Sequence, residues 1–172
     1  MIMMTIAQIM EKMIAFSEGN IHDITHLSCV WTYAKTIGEL ERVDEETQFI
    51  LEVAAITHDI ACPLCRKKYG NTNGSNQELE GDPLVRAFLA DTGMTAAQID
   101  RVAYLVGHHH SPEQIDGIDY QILIEADYIA NASESGYSQQ AIRTFMEYTM
   151  KTAAGKMPRV DAIGVSSAGV YV

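Results

Sequence analysis

The sequence is short of several things, and each shortage excludes something. No run of about 18 apolar residues occurs along the 172 positions, so no transmembrane helix is expected. Met1-Ile2-Met3-Met4 is apolar, but it has no basic flank or small-residue cleavage site, and Glu11-Lys12 soon follow. No secretion signal is read there, and the expected location is the cytoplasm. Cysteines number three, Cys29, Cys62 and Cys65. That odd count, without a signal segment, points to reduced thiols and not to a disulfide framework. Basic residues are few, 12 Lys and Arg against 23 Asp and Glu, a net charge of −11. This balance argues against a nucleic acid or an anionic membrane surface as partner. It leaves a small phosphorylated molecule open, because bound metal ions can invert the local potential. No strand period, internal repeat or interdomain linker stands out.

The rest is ordinary for a globular protein: 47% hydrophobic and 20% charged residues, in a chain long enough for one core without staples. A single helical domain over residues 1–155 is expected, with its core at 20–135 and an irregular tail at 156–172. The periods predict about six or seven helices. Residues 2 to 17 place Ile2, Ile6, Ile9, Met10, Met13 and Ile14 on one stripe, and a second helix spans about Ile21 to Glu41. Asp44 reads as the N-cap of a third helix, with Glu45 and Glu46 suited to its first turn. Residues 61–81, rich in Pro, Gly and Asn, read as a long loop. Helix four then opens at Asp82-Pro83, helix five at the capping box Thr95-Ala96-Ala97-Gln98, and helix six at Asp119. Ser138 caps a seventh.

The chain is organised around Ala54-Ala55-Ile56-Thr57-His58-Asp59-Ile60, an apolar helical run ending in two adjacent metal-capable side chains. Neighbours on a helix point about 100° apart, so one ion beside the helix end can touch both. Burying such a pair is costly without compensation, and a cation is one compensation. A helix C-terminus with its histidine on the dipole and its aspartate in water is the other reading. Further candidates are His26, which shares a face with His22 four residues earlier, and Asp127, which sits beside an apolar stripe containing Leu123 and Ile124.

The order His26, His58-Asp59, Asp127, with the wording LEVAAITHDI and LIEADYIAN around the last three, resembles the four-ligand signature of the HD-domain metal-dependent phosphohydrolase superfamily over roughly residues 20–135. The resemblance implies an all-α, HD-domain-like helical bundle around a buried metal site, with His26, His58, Asp59 and Asp127 as ligands. It implies hydrolysis of phosphate esters, with Asp59 also helping to activate the nucleophile. The segment Lys68-Tyr69-Gly70, Gly74, Gln77, Glu80-Gly81 is similar to a stretch in bacterial members. Lys68 first and Arg66 next are therefore candidates for phosphate contact, against the alternative of a solvated surface loop. Glu80 falls where relatives place another histidine or a helper acid.

Histidine and carboxylate donors without thiolates suit Mn²⁺, Fe²⁺, Co²⁺, Ni²⁺ or Zn²⁺, with Mg²⁺ also admissible. In the run His108-His109-His110, the first two fit a catalytic or second-metal role by position, and His110 reads as exposed. The histidine missing at Glu80 favours one ion over two. Cys62-Pro63-Leu64-Cys65 lacks partners for a structural zinc site and a thioredoxin-like setting, so it reads as reduced cysteines in a loop. The sequence thus points to a metal-dependent phosphohydrolase acting through metal-activated water on a small molecule, a nucleotide among the candidates. The alternative is a metal- or nucleotide-binding regulatory module without turnover. A homo-oligomer is compatible with both.

Overall fold

The structure is a computed structural model that describes residues 2–156. Among these, all regular structure is helical: α1 (Ile6–Phe16), α2 (Ile21–Glu41), α3 (Glu45–Thr57), α4 (Cys62–Tyr69), α5 (Gly74–Leu89), α6 (Ala96–Val106), α7 (Ile118–Ser135) and α8 (Gln139–Tyr148), with a 3₁₀ turn at Pro112–Gln114. The all-α expectation holds. The expected tail lies outside the described residues except for Lys156.

α3 is the axis of the bundle. Asp44 caps it by accepting from the Thr47 backbone N–H, and Glu45 and Glu46 complement the positive end of the dipole. From Ile50 to Thr57 every residue is buried, as expected of a helix surrounded on all sides. The stretch Glu45–Tyr69 is apolar enough to cross a membrane by composition, yet 72% of its most apolar window is buried inside the molecule. α2 packs on α3 and α7, and α3 touches α1, α6 and α7 as well. The core therefore fills the space between these helices, with Leu51, Ile56, Leu105, Tyr120, Ile122 and Leu123 fully enclosed.

Four sequence expectations shift. Residues 61–81 are not a long loop but mostly helix. Pro63 sits in the first turn of α4, where its missing N–H costs nothing. Gly70 ends α4 in the left-handed conformation (φ 70°). α5 starts at Gly74, so Asp82-Pro83 lies inside it. The carbonyl freed by Pro83 belongs to the exposed Leu79, where water can satisfy it. The first helix begins at Ile6, set by a Thr5–Gln8 capping box; Ile2 precedes it and is 94% exposed. Asp119 lies in the first turn of α7 instead of capping it, and it accepts from Arg101 Nε at 2.8 Å.

Candidate metal centre

Four chain segments meet at one point. α2 supplies His26 from its second turn, α3 supplies His58 at its C-cap with Asp59 next, and α7 supplies Asp127. The turn after α6 supplies His109. His26 Nε2 lies 3.2 Å from His58 Nε2, 3.2 Å from Asp127 Oδ1 and 3.6 Å from Asp59 Oδ2. His58 Nε2 is 3.5 Å from Asp127 Oδ1 and 3.7 Å from Asp59 Oδ1. Donor atoms of His26, His58 and Asp59 lie within 4.8 Å of one another, as do those of Asp59, His109 and His110. Asp59 belongs to both groups, because His109 Nε2 stands 3.4 Å from its Oδ1.

The tautomers follow from what each ring touches. His58 Nδ1 faces the Ala55 carbonyl at 2.8 Å and His109 Nδ1 faces the Val106 carbonyl at 2.8 Å. A carbonyl only accepts, so each Nδ1 carries its proton and each neutral ring presents a bare Nε2. His26 Nδ1 faces Glu134 Oε2 at 3.0 Å with the same consequence. Two bare nitrogens 3.2 Å apart, with two carboxylates beside them, repel unless a cation or a proton lies among them. His109 Nε2 is buried and has no hydrogen-bond partner. These side chains fit a divalent cation.

The electrostatics agree. Burial alone would depress His26, but Asp127, Asp59 and Glu134 outweigh it and push its pKa up to about 9. His58 is raised despite complete burial, by Asp59 and Asp127. Burial would raise the two carboxyls. His58 and His109 nonetheless hold Asp59 well below the ordinary carboxylate range, and His26 and His58 do the same for Asp127. Asn131 Nδ2 donates to Asp127 Oδ1 at 2.8 Å and fixes that carboxylate from behind.

The cluster opens into a cavity of about 490 Å³. Its lining includes the polar His22, Asp23, Arg66, Gln77 and His110 and the apolar or aromatic Ile124, Tyr128, Tyr137 and Phe145. Tyr128 and Phe145 lie parallel with centroids 3.5 Å apart, and Tyr137 meets Tyr128 edge-on at 5.4 Å.

The remaining sequence candidates divide. Arg66 lines the cavity, in an ion pair with Asp23. Lys68 does not line it: it is exposed on α4 and bonds Glu80 Oε1 at 2.6 Å, which also accepts from Tyr69 Oη at 2.6 Å. Lys68 and Glu80 therefore hold each other, away from the metal-capable side chains. His108 does not line the cavity either; its ring stacks on Tyr104 with centroids 4.2 Å apart, and its Nδ1 faces the Tyr104 carbonyl. His110, though exposed at the surface, does line it. Cys62 and Cys65 sit at the N-terminus of α4, not in a loop. Both are buried, and burial pushes both thiols up, away from the reactive thiolate. Residue-by-residue reading missed Asn131, Glu134 and the aromatic wall. The signal for the first two was their spacing of four and seven from Asp127, which puts them on its helix face.

A protein-family model described as HD domain matches residues 23–132, more than half of the chain. No curated protein and no solved structure matches it.

Proposed function

The chain belongs to the HD domain family, and from that premise we propose that it is a metal-dependent phosphohydrolase acting on a phosphate ester of a small molecule. The observation that carries this reading is the convergence of two imidazole Nε2 atoms, 3.2 Å apart, beside the Asp59 and Asp127 carboxylates. His26, His58, Asp59 and Asp127 would hold the ion, with Mn²⁺, Fe²⁺, Co²⁺, Ni²⁺ or Zn²⁺ favoured by the donor set and Mg²⁺ admissible. When bound, such an ion lowers the pKa of water, polarises a phosphoryl oxygen and orients the leaving group.

The chain's own groups supply the rest. Asp59 and Asp127 both line the cavity and face the buried rings, and Asp59 is the more open of the two, its side chain 27% exposed against 14%, so it takes the proton of the attacking water. His109 relays that proton: its Nδ1–H is committed to Val106, and its Nε2 faces Asp59. Arg66 can exchange Asp23 for a phosphate oxygen, since both line the cavity. The aromatic wall of Tyr128, Tyr137 and Phe145 favours a substrate with a flat organic part, and among phosphate esters that supports a nucleotide. Asp59, His109 and His110 offer donors to a second ion. A soluble, cytoplasmic setting accords with this reading.

The test is metal content of the purified protein and of H58A and D59A, with phosphate release measured on a panel of nucleotides and sugar phosphates. The expected result is near-stoichiometric metal, lost in both variants together with activity. Metal retained by both variants overturns the site. Metal lost without turnover of any ester by the parent protein replaces the enzyme by the regulatory module. Two ions per chain, with one lost in H110A, would assign the second set.

A further inference from the structure

Three imidazoles face the centre, and each must keep its proton on Nδ1 for Nε2 to serve as a ligand. His58 and His109 lie just past the ends of α3 and α6. The last carbonyls of a helix have no intrahelical donor, and these two rings use them, Ala55 O and Val106 O. His26 differs. It sits in the interior of α2, where backbone carbonyls are occupied by the helix ladder. Its Nδ1 must find a partner on another element, and the group it meets is the Glu134 carboxylate, 3.0 Å away on α7.

We propose that Glu134 is a positioning residue for His26, fixing the tautomer and the tilt of that ring towards the bound cation. The proposal rests on the metal-binding reading of the site. Glu134 follows Asp127 by seven residues, two helical turns along the same face of α7. His26 therefore faces one helix at both edges: Nδ1 donates to Glu134 Oε2 at 3.0 Å, and Nε2 stands 3.2 Å from Asp127 Oδ1, where a shared cation would lie between them. Midway, Asn131 holds Asp127. One face of α7 thus supplies a ligand, the support for that ligand and the support for a ligand on α2. A carboxylate behind a ligating imidazole also raises the ring's basicity as a donor. The Glu134 side chain is 26% exposed, so its removal leaves a water-accessible gap and not a buried void.

The experiment compares the full-length protein with E134A and E134Q. Zn²⁺ affinity is measured by competition with a chromophoric chelator. The ring ¹⁵N resonances of His26 are recorded with zinc and, for the metal-free protein, at a pH high enough to leave the ring neutral. E134A is expected to weaken zinc binding by about 10- to 100-fold and to mix the His26 tautomers. E134Q can still accept from Nδ1–H, so it is expected to restore the tautomer and recover part of the affinity. A merely structural Glu134 would change the melting temperature and leave the tautomer alone. Zinc affinity within about twofold of the parent in E134A, with the Nδ1–H form retained, overturns the proposal. Should the parent protein itself take up no zinc, the metal reading falls. The metal-free tautomer then still decides whether Glu134 orients His26.

Discussion

Protons and a metal ion compete for the same nitrogen at His26, and the structure gives the sign and size of that competition. The ring's pKa rises from its ordinary 6.5 to about 9, since Asp127, Asp59 and Glu134 overcome the opposing effect of burial. A folded-state pKa above the unfolded value stabilises the metal-free protein fully below about pH 6.5, and that contribution is lost as pH climbs through about 9. The shift corresponds to about 3 kcal/mol at most, with little solvent screening because the side chain is only 7% exposed. The same number works against the ion. At pH 7 roughly one molecule in a hundred has a bare Nε2, so binding displaces a proton and apparent affinity rises about tenfold per pH unit towards pH 9. His58 is raised too and adds in the same direction. Asp59 and Asp127 are held low and stay ionised throughout this window. The assay is chelator-competition binding of Zn²⁺ from about pH 6.5 to 9, with melting curves of the metal-free and loaded protein at each pH. Metal-free stability should fall across the window and the stabilisation by metal should grow. A flat affinity, or a metal-free protein that becomes more stable from pH 7 to 9, refutes the reasoning.

Other expectations concern the frame around the site. Glu125 is fully buried and accepts from Gln121 Nε2 and from the backbone N–H groups of Lys151 and Thr152, at 2.7, 2.6 and 3.0 Å. E125A leaves the two backbone donors unpaired, while Gln121 keeps its bond to the Thr149 carbonyl, and thermal melting should show a loss of about 3–5 kcal/mol, with faster proteolysis near residue 151. A Cβ at Gly81 would stand 2.9 Å from Val106 Cγ1 across the α5–α6 contact. G81A should therefore cost about 1–3 kcal/mol in denaturant unfolding, and a V106A second change should return part of it. Thiol titration with a chromogenic disulfide should modify Cys29 first, since it alone is half-buried; Cys62 and Cys65 should react only once the protein is unfolded.

Much of the helical frame was legible because caps and apolar periods agree there. Asp44, Thr95 and Ser138 each accept the hydrogen bond their residue type suggests. Residues 61–81 were not legible by the same logic, since turn-forming residues were read by type and not by position. Pro63 occupies a first turn, Gly70 a left-handed stop and Asn73 a helix start. Gly81 is helical and gives Val106 room. Pro83 is tolerated within α5 because its neighbourhood faces water. Each is a breaker in isolation, and together they frame two helices separated by a short turn.

At the site, the types and order of His26, His58, Asp59 and Asp127 were readable, and the structure brings these four together. Which member of His108-His109-His110 turns inward was not, because these residues follow the end of α6 and no helical period fixes their direction. The turn sends His109 to Asp59 and leaves His108 against Tyr104. Lys68 shows the limit of reading charge alone. A cation in an acidic protein finds the nearest carboxylate, here Glu80, unless a stronger anion displaces it. Glu134 shows the converse. Its phase relative to Asp127 was written in the sequence, but the imidazole between them comes from α2. Only the packing of α2 on α7 makes a carboxylate two turns from a ligand on one helix into the support of a ligand on another.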